Sequence, residues 1–144
     1  GYFDDQGRIW FCGRKAHMCN SGDETYYSVK VEYCFSGLAG INRVALVNIS
    51  LNGQKVLALC IEPTQRFMSP TARRTIVTDI VQVARRYRIP LRVIAFHARQ
   101  FPVDKRHHAK IERHLLAKWV QDSLTRLRCN WAIYHVSMTN IAAR

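Results

Sequence analysis

The sequence predicts a single α/β (α+β) domain. It would have one mixed, mostly antiparallel sheet, built from an N-terminal β-meander and two later strands, with two main helices packed on it. Three observations carry this expectation. The 144 residues are 48% apolar, enough to bury one core without disulfide or metal staples. Strand-like runs fill the first half and end in a strong hairpin signal. After Pro63 the pattern alternates helix, strand, helix, strand, and a meander followed by such alternation argues for helices covering one sheet.

The predicted order is β-β-β-β-α-β-α-β. Residues 7–12 read as a short strand. Residues 13–25, rich in Gly, Asn, Ser, Asp and Lys, read as exposed loop. Residues 1–25 are thus a short strand plus an exposed Cys- and His-containing loop, ahead of the domain proper at 26–144. Residues 26–35 alternate as a strand, with Val29, Val31 and Tyr33 on one face. Residues 43–51 and 54–61 are strand-like and flank Asn52-Gly53, the pair that best tolerates the positive φ angles of a type I′ turn. Ser69-Pro70 places an N-cap before a proline at the first helical position, and the helix runs to about Tyr87. Its apolar face is Ile76, Ile80, Val83 and Tyr87, opposite Arg74, Thr78, Gln82 and Arg85. Residues 91–97 read as a buried strand. Asp104 is positioned to cap a second helix over 105–127, with Ala109, Leu116, Val120, Leu124 and Leu127 inward. Residues 130–138 read as the last strand.

Charge divides the chain. The formal net charge is +12, and residues 1–65 are neutral, with six basic and six acidic side chains. Residues 66–144 carry 16 basic residues against Asp79, Asp104, Glu112 and Asp122. A neutral meander half (26–65) is therefore followed by a basic α/β half (66–144). Such asymmetry points to a polyanionic partner, and the excess of arginine suits bidentate phosphate contacts. The expected function is nucleic-acid binding, DNA or RNA, through phosphate contacts from the helices at 70–87 and 105–127. The candidate contacts are Arg73, Arg74, Arg85 and Arg86 on the first helix. On the second they are Lys105, Arg106, His107, Lys110, Arg113, His114 and Lys118, some of them clustered where a helix N-terminus favours anions. An acidic protein partner, within a nucleic-acid-processing complex, is the third class of reading.

The enzyme alternative is a phosphodiesterase or nuclease. From residue 28 the expected run of three strands, helix, strand, helix, strand resembles ribonuclease H-like folds in element order. That resemblance implies carboxylates holding two magnesium ions, for which Glu32 and Asp79 are the weak candidates. His97 and His135 on separate strands could instead act as acid and base on a phosphodiester. His135-Val136-Ser137 resembles the H-x-S/T motif of two-histidine phosphoesterases, but His97 is followed by Ala98-Arg99.

No cofactor is expected, save magnesium in the nuclease case. The nearest approach to a zinc motif is Cys12, His17 and Cys19. It lacks the CxxC spacing and a nearby fourth ligand, so the sequence argues against zinc. Five cysteines and no secretory pattern indicate a reduced, intracellular chain, cytoplasmic or nuclear. No apolar run spans a bilayer, and neither helix pairs a polybasic face with exposed large aromatics, so no membrane surface is indicated. Oligomeric state is not encoded legibly.

Overall fold

A computed structural model describes residues 2–10, 14–104, 110–125 and 132–137. The main sheet has four strands, β5 (Ile41–Leu51), β6 (Gln54–Pro63), β7 (Leu91–Phe96) and β8 (Ile133–His135), in that spatial order. β5 and β6 are antiparallel, β6 and β7 parallel, β7 and β8 antiparallel. This is the mixed, mostly antiparallel α/β sheet that the sequence predicts. Two small hairpins precede it: β1 (Tyr2–Phe3) with β2 (Ile9–Trp10), and β3 (Met18–Ser21) with β4 (Glu24–Tyr27). The second occupies most of what reads as loop. In the first, Tyr2, Phe3, Ile9 and Trp10 all stay exposed.

The β5–β6 hairpin forms as its turn dictates. Asn52 and Gly53 have φ of 51° and 78°, the left-handed pair that matches the twist of the flanking strands. The parallel β6–β7 pair is joined by helix α2 (Pro70–Arg86), which starts where Ser69 accepts a hydrogen bond from Ala72 N. Its inward face is Ile76, Ile80 and Ala84. Tyr87, expected on that face, is exposed. The helix ends in a Schellman motif: Arg88 N donates to Arg85 O and Ile89 N to Ala84 O. Arg88 takes the left-handed position, φ 54°, where glycine is usual.

Two expected elements differ. Residues 26–35 are not one strand: β4 ends at Tyr27, and α1 (Ser28–Tyr33) follows. The segment fits both periods. Ser28, Val31 and Phe35, spaced three and four apart, are buried, whereas Val29 and Tyr33 of the alternating reading are exposed. The three-strand meander behind the ribonuclease H-like order is therefore absent. The last helix among the described residues, α3, is Arg113–Thr125, and residues 110–112, inside the expected 105–127 span, are not helical. Asp104 does not cap it: Asp104 N donates to Lys110 O, and Val103 bridges Ile111 in antiparallel fashion.

The sheet is buried on both faces. On one, Val44, Leu46, Leu59, Ile61, Leu91 and Ile94 pack with Val31 of α1, Phe35 and the apolar face of α2. On the other, Ala45, Val47, Ala58, Cys60, Val93 and Ala95 pack with Phe101 and with Leu116 and Val120 of α3. Ala45, Cys60 and Ala95 are register partners across three strands. This row of small side chains lets α3 sit close. The continuous apolar run at 56–61 of β6 is what a strand covered on both faces requires.

Candidate functional site

The structure separates the residues that the sequence groups. α2 and α3 lie on opposite faces of the sheet, so Arg73, Arg74, Arg85 and Arg86 share no groove with Arg113, His114 and Lys118. Arg73 Nη2 donates to Met68 O at 2.8 Å, and the Arg86 guanidinium leans on the Tyr87 ring at 5.7 Å. Lys110 precedes α3. Lys105, Arg106 and His107 lie outside the described residues, as does Cys12.

Glu32 is committed to structure. Its carboxylate accepts from Arg113 Nη2 at 2.7 and 2.8 Å and from Leu46 N at 2.7 Å. It thereby satisfies an amide on the outer edge of β5 and ties α1 to the start of α3. Burial pushes its pKa up, against the pull of Arg113 and the Leu46 amide. Asp79 sits mid-way along α2 and joins no cluster: among the described residues no three His, Cys, Asp or Glu side chains could hold a metal ion. His97 and His135 do not converge. His135 is the register partner of Val93, four residues before His97, an offset of about 13 Å along the strand. Cys19 is buried, its thiol donates to Leu46 O at 3.8 Å, and burial pushes its pKa up to about 11. It is a protonated core thiol, a poor zinc ligand.

The structure instead gathers cations around His17, which ends a single 3-10 turn (Lys15–His17). Burial lowers the pKa of His17, and Arg113, Arg14 and Lys110 push it further down. Both effects favour the neutral imidazole. His17, Asn48, Arg113 and His114 line a cavity of about 190 Å³. His114 Nδ1 stands 3.2 Å from Glu112 Oε2. The Arg113 Nε is buried with no hydrogen-bond partner among the described residues. An imidazole beside Arg14 and Lys110 is suited to meeting an anionic group, whereas Arg113 is already paired with Glu32. Arg113 and Lys110 are legible as basic residues, but nothing in the spacing links them to Arg14 and His17, about a hundred positions earlier.

Comparison with known proteins decides between these chemistries. No family model matches the chain. Over 125 residues, 86% of the chain, it is 38% identical to an olefin β-lactone synthetase of Stenotrophomonas maltophilia. Over 120 residues it is 37% identical to the synthetase of the same name from Xanthomonas campestris pv. campestris, 83% of the chain. The chain spans about a fifth of the length of these relatives, 22% and 21%. Among solved structures, an anthranilate CoA ligase in complex with anthranoyl-AMP superposes with a TM-score of 0.70 at 17% identity, covering 85% of this chain and 23% of that one. A fatty acyl CoA synthetase of Mycobacterium tuberculosis gives 0.61 at 22% identity, covering 84% and 23%. These structures share the fold.

The similarities overturn the nucleic-acid reading. The relatives are olefin β-lactone synthetases, and the structural neighbours are a CoA ligase and a fatty acyl CoA synthetase. The nuclease, phosphodiesterase and ribonuclease H-like alternatives fall with it, and so do nucleic acid and an acidic protein of a nucleic-acid complex as partners. The +12 charge is real, but charge sign selects a class of partner and not a member of it. No helix among the described residues is long and apolar enough to cross a membrane.

Proposed function

We propose that this chain is part of an ATP-dependent enzyme that activates a 3-hydroxy carboxylic acid as its acyl adenylate and closes it to a β-lactone. The observation that carries this is the 38% identity, over 86% of the chain, to an olefin β-lactone synthetase. The adenylate half is supported by structural neighbours that are AMP ligases or were solved with an acyl-AMP. The chemistry joins the two. A β-lactone is the four-membered internal ester of a 3-hydroxy acid, and its carboxylate must first be made a better acyl donor. A carboxylate oxygen attacks the α-phosphorus of ATP and releases pyrophosphate. The 3-hydroxyl oxygen then attacks the acyl carbon, its proton passes to a base, and AMP leaves.

Within this reading Arg14 and Lys110 around His17 are the surface this chain offers to the anionic adenylate or pyrophosphate, where fixed cations stabilise charge. A need for ATP supports a cytoplasmic enzyme, and the bacterial sources of the relatives lend no support to a nucleus. The test is to incubate the enzyme containing this chain with a 3-hydroxy carboxylic acid, ATP and magnesium. AMP, pyrophosphate and a product lighter by one water, with the infrared carbonyl band of a strained four-membered ester, are expected. Release of ADP and phosphate, or an acyl thioester with no lactone, would refute the reading.

A further inference from the structure

A second cavity, of about 510 Å³, opens at the carboxyl ends of β6 and β7, the only parallel pair among the described strands. In open α/β sheets that crevice is where ligands sit. Its lining residues include Asn42, Thr64, Arg66, His97 and Arg99, and it shares none with the cavity at His17.

Its one carboxylate is already spent. Glu62, 3% exposed, accepts from Arg43 Nε and Nη2, at 3.1 and 2.6 Å, from Phe101 N at 2.5 Å, and from Asn42 Nδ2. Glu62 and Arg43 cancel each other, so the field in the cavity is set by Arg66 and Arg99, both on exposed loops. His97 is held in place: its Nδ1 donates to Arg99 O at 2.7 Å, and its ring meets Phe101 and Trp119 edge-on, with centroids 5.9 and 4.8 Å away. Because a carbonyl only accepts, Nδ1 carries the proton, and Nε2 is the pole left for a ligand.

We propose that this cavity binds a phosphoryl group, held by the guanidinium groups of Arg66 and Arg99, with Thr64 and Asn42 supplying further donors. Two guanidinium charges in one cavity match the roughly double negative charge of a phosphoryl group better than the single charge of a carboxylate, and its three oxygens can take both forks. The cavity, at about 510 Å³, leaves room beside a phosphoryl group for what it is attached to: a second phosphate, as in pyrophosphate, or a nucleoside. The proposal stands on this cavity alone and does not depend on the lactone reading.

The experiment is amide NMR on the isotopically labelled 144-residue chain, titrated separately with inorganic pyrophosphate, AMP and acetate. Pyrophosphate or AMP should move the amides of residues 64–66 and 97–100 and saturate below about 1 mM. The double variant Arg66→Ala/Arg99→Ala should weaken that binding by about tenfold or more. Arg85→Ala/Arg86→Ala, which removes as much charge from α2, should leave it unchanged. Tighter binding of AMP would assign the group to a nucleotide, and tighter binding of pyrophosphate to the inorganic anion. Three results would overturn the proposal: no saturable shifts at these amides, equal weakening by the two double variants, or acetate binding as tightly as pyrophosphate. All the substituted arginines lie at the surface, and each variant's own amide spectrum reports whether it has folded.

Discussion

Replacing Glu32 by alanine and by glutamine should separate what its charge contributes from what its hydrogen bonds contribute. The carboxylate, 14% exposed, faces the Arg113 guanidinium, 16% exposed, at 2.7 Å and also accepts from Leu46 N. Its net pKa shift is upward, with burial as the largest cause. The sign follows: a carboxyl whose folded pKa lies above its unfolded value favours the fold most at low pH, and that contribution fades as pH rises through the folded value. Ionised Glu32 is therefore no net asset at pH 7 relative to its protonated form, and glutamine, which keeps an acceptor for Leu46 N and Arg113, should cost about the net worth of one hydrogen bond, about 1 kcal/mol. Alanine leaves an orphaned strand-edge amide, worth about 1–3 kcal/mol, beside a poorly solvated guanidinium, for a total of roughly 3 kcal/mol. At about 3 °C per kcal/mol for a chain this size, Tm should fall roughly 9 °C for Glu32→Ala and 3 °C for Glu32→Gln. Urea denaturation at pH 7 gives the free energies directly. Equal losses in the two variants would show that the charge pair itself holds β5, α1 and α3 together, and the reasoning would fail.

Three further outcomes are expected. Gly40 has φ +81°, and a Cβ there would lie 2.8 Å from Ile76 Cδ1, so Gly40→Ala should cost about 2–3 kcal/mol by urea denaturation, while Gly37→Ala, with open space around it, should cost far less. Arg88→Gly should stabilise by roughly 0.5–1 kcal/mol, read as a rise in Tm of about 2 °C, because it relieves a left-handed residue at the end of α2. Glu62 is held below its ordinary 4.5: burial raises its pKa, but hydrogen bonds from Arg43, Phe101 N and Asn42 outweigh this. Its stabilisation is thus present above about pH 4.5 and lost as pH falls through the lowered value. Denaturation measured from about pH 6 to 2 should show a shallower acid limb in Glu62→Gln than in the parent chain.

What the sequence reveals is what short stretches of chain decide. The Asn52-Gly53 turn and the Ser69-Pro70 start of α2 are read correctly because a few neighbouring residues fix the backbone there. At 28–35 local evidence is ambiguous, since Val29, Val31 and Tyr33 satisfy one period and Ser28, Val31 and Phe35 the other. Only burial against the sheet selects the helix. Sites are harder still. His17 meets Arg113, and Glu62 meets Phe101, through folding alone, the second pair lying 39 positions apart. The basic excess after residue 65 points to nucleic acid, and the comparisons overturn that reading, because the sign of a charge does not name a partner.

The order of strands in the sheet has a kinetic consequence. β6 lies at its centre, and its two neighbours arrive very differently. β5 is joined to it by two residues, and such hairpins close in about 1–10 μs. β7 pairs with it only after the whole of α2 has been spanned, as Leu57 meets Leu91, and β8 is more distant again. Until that crossover docks, β6 shows the apolar run at 56–61 along an open strand edge. Refolding at high protein concentration should therefore lose material to association during this interval, and substitutions in β8 should speed unfolding more than they slow folding.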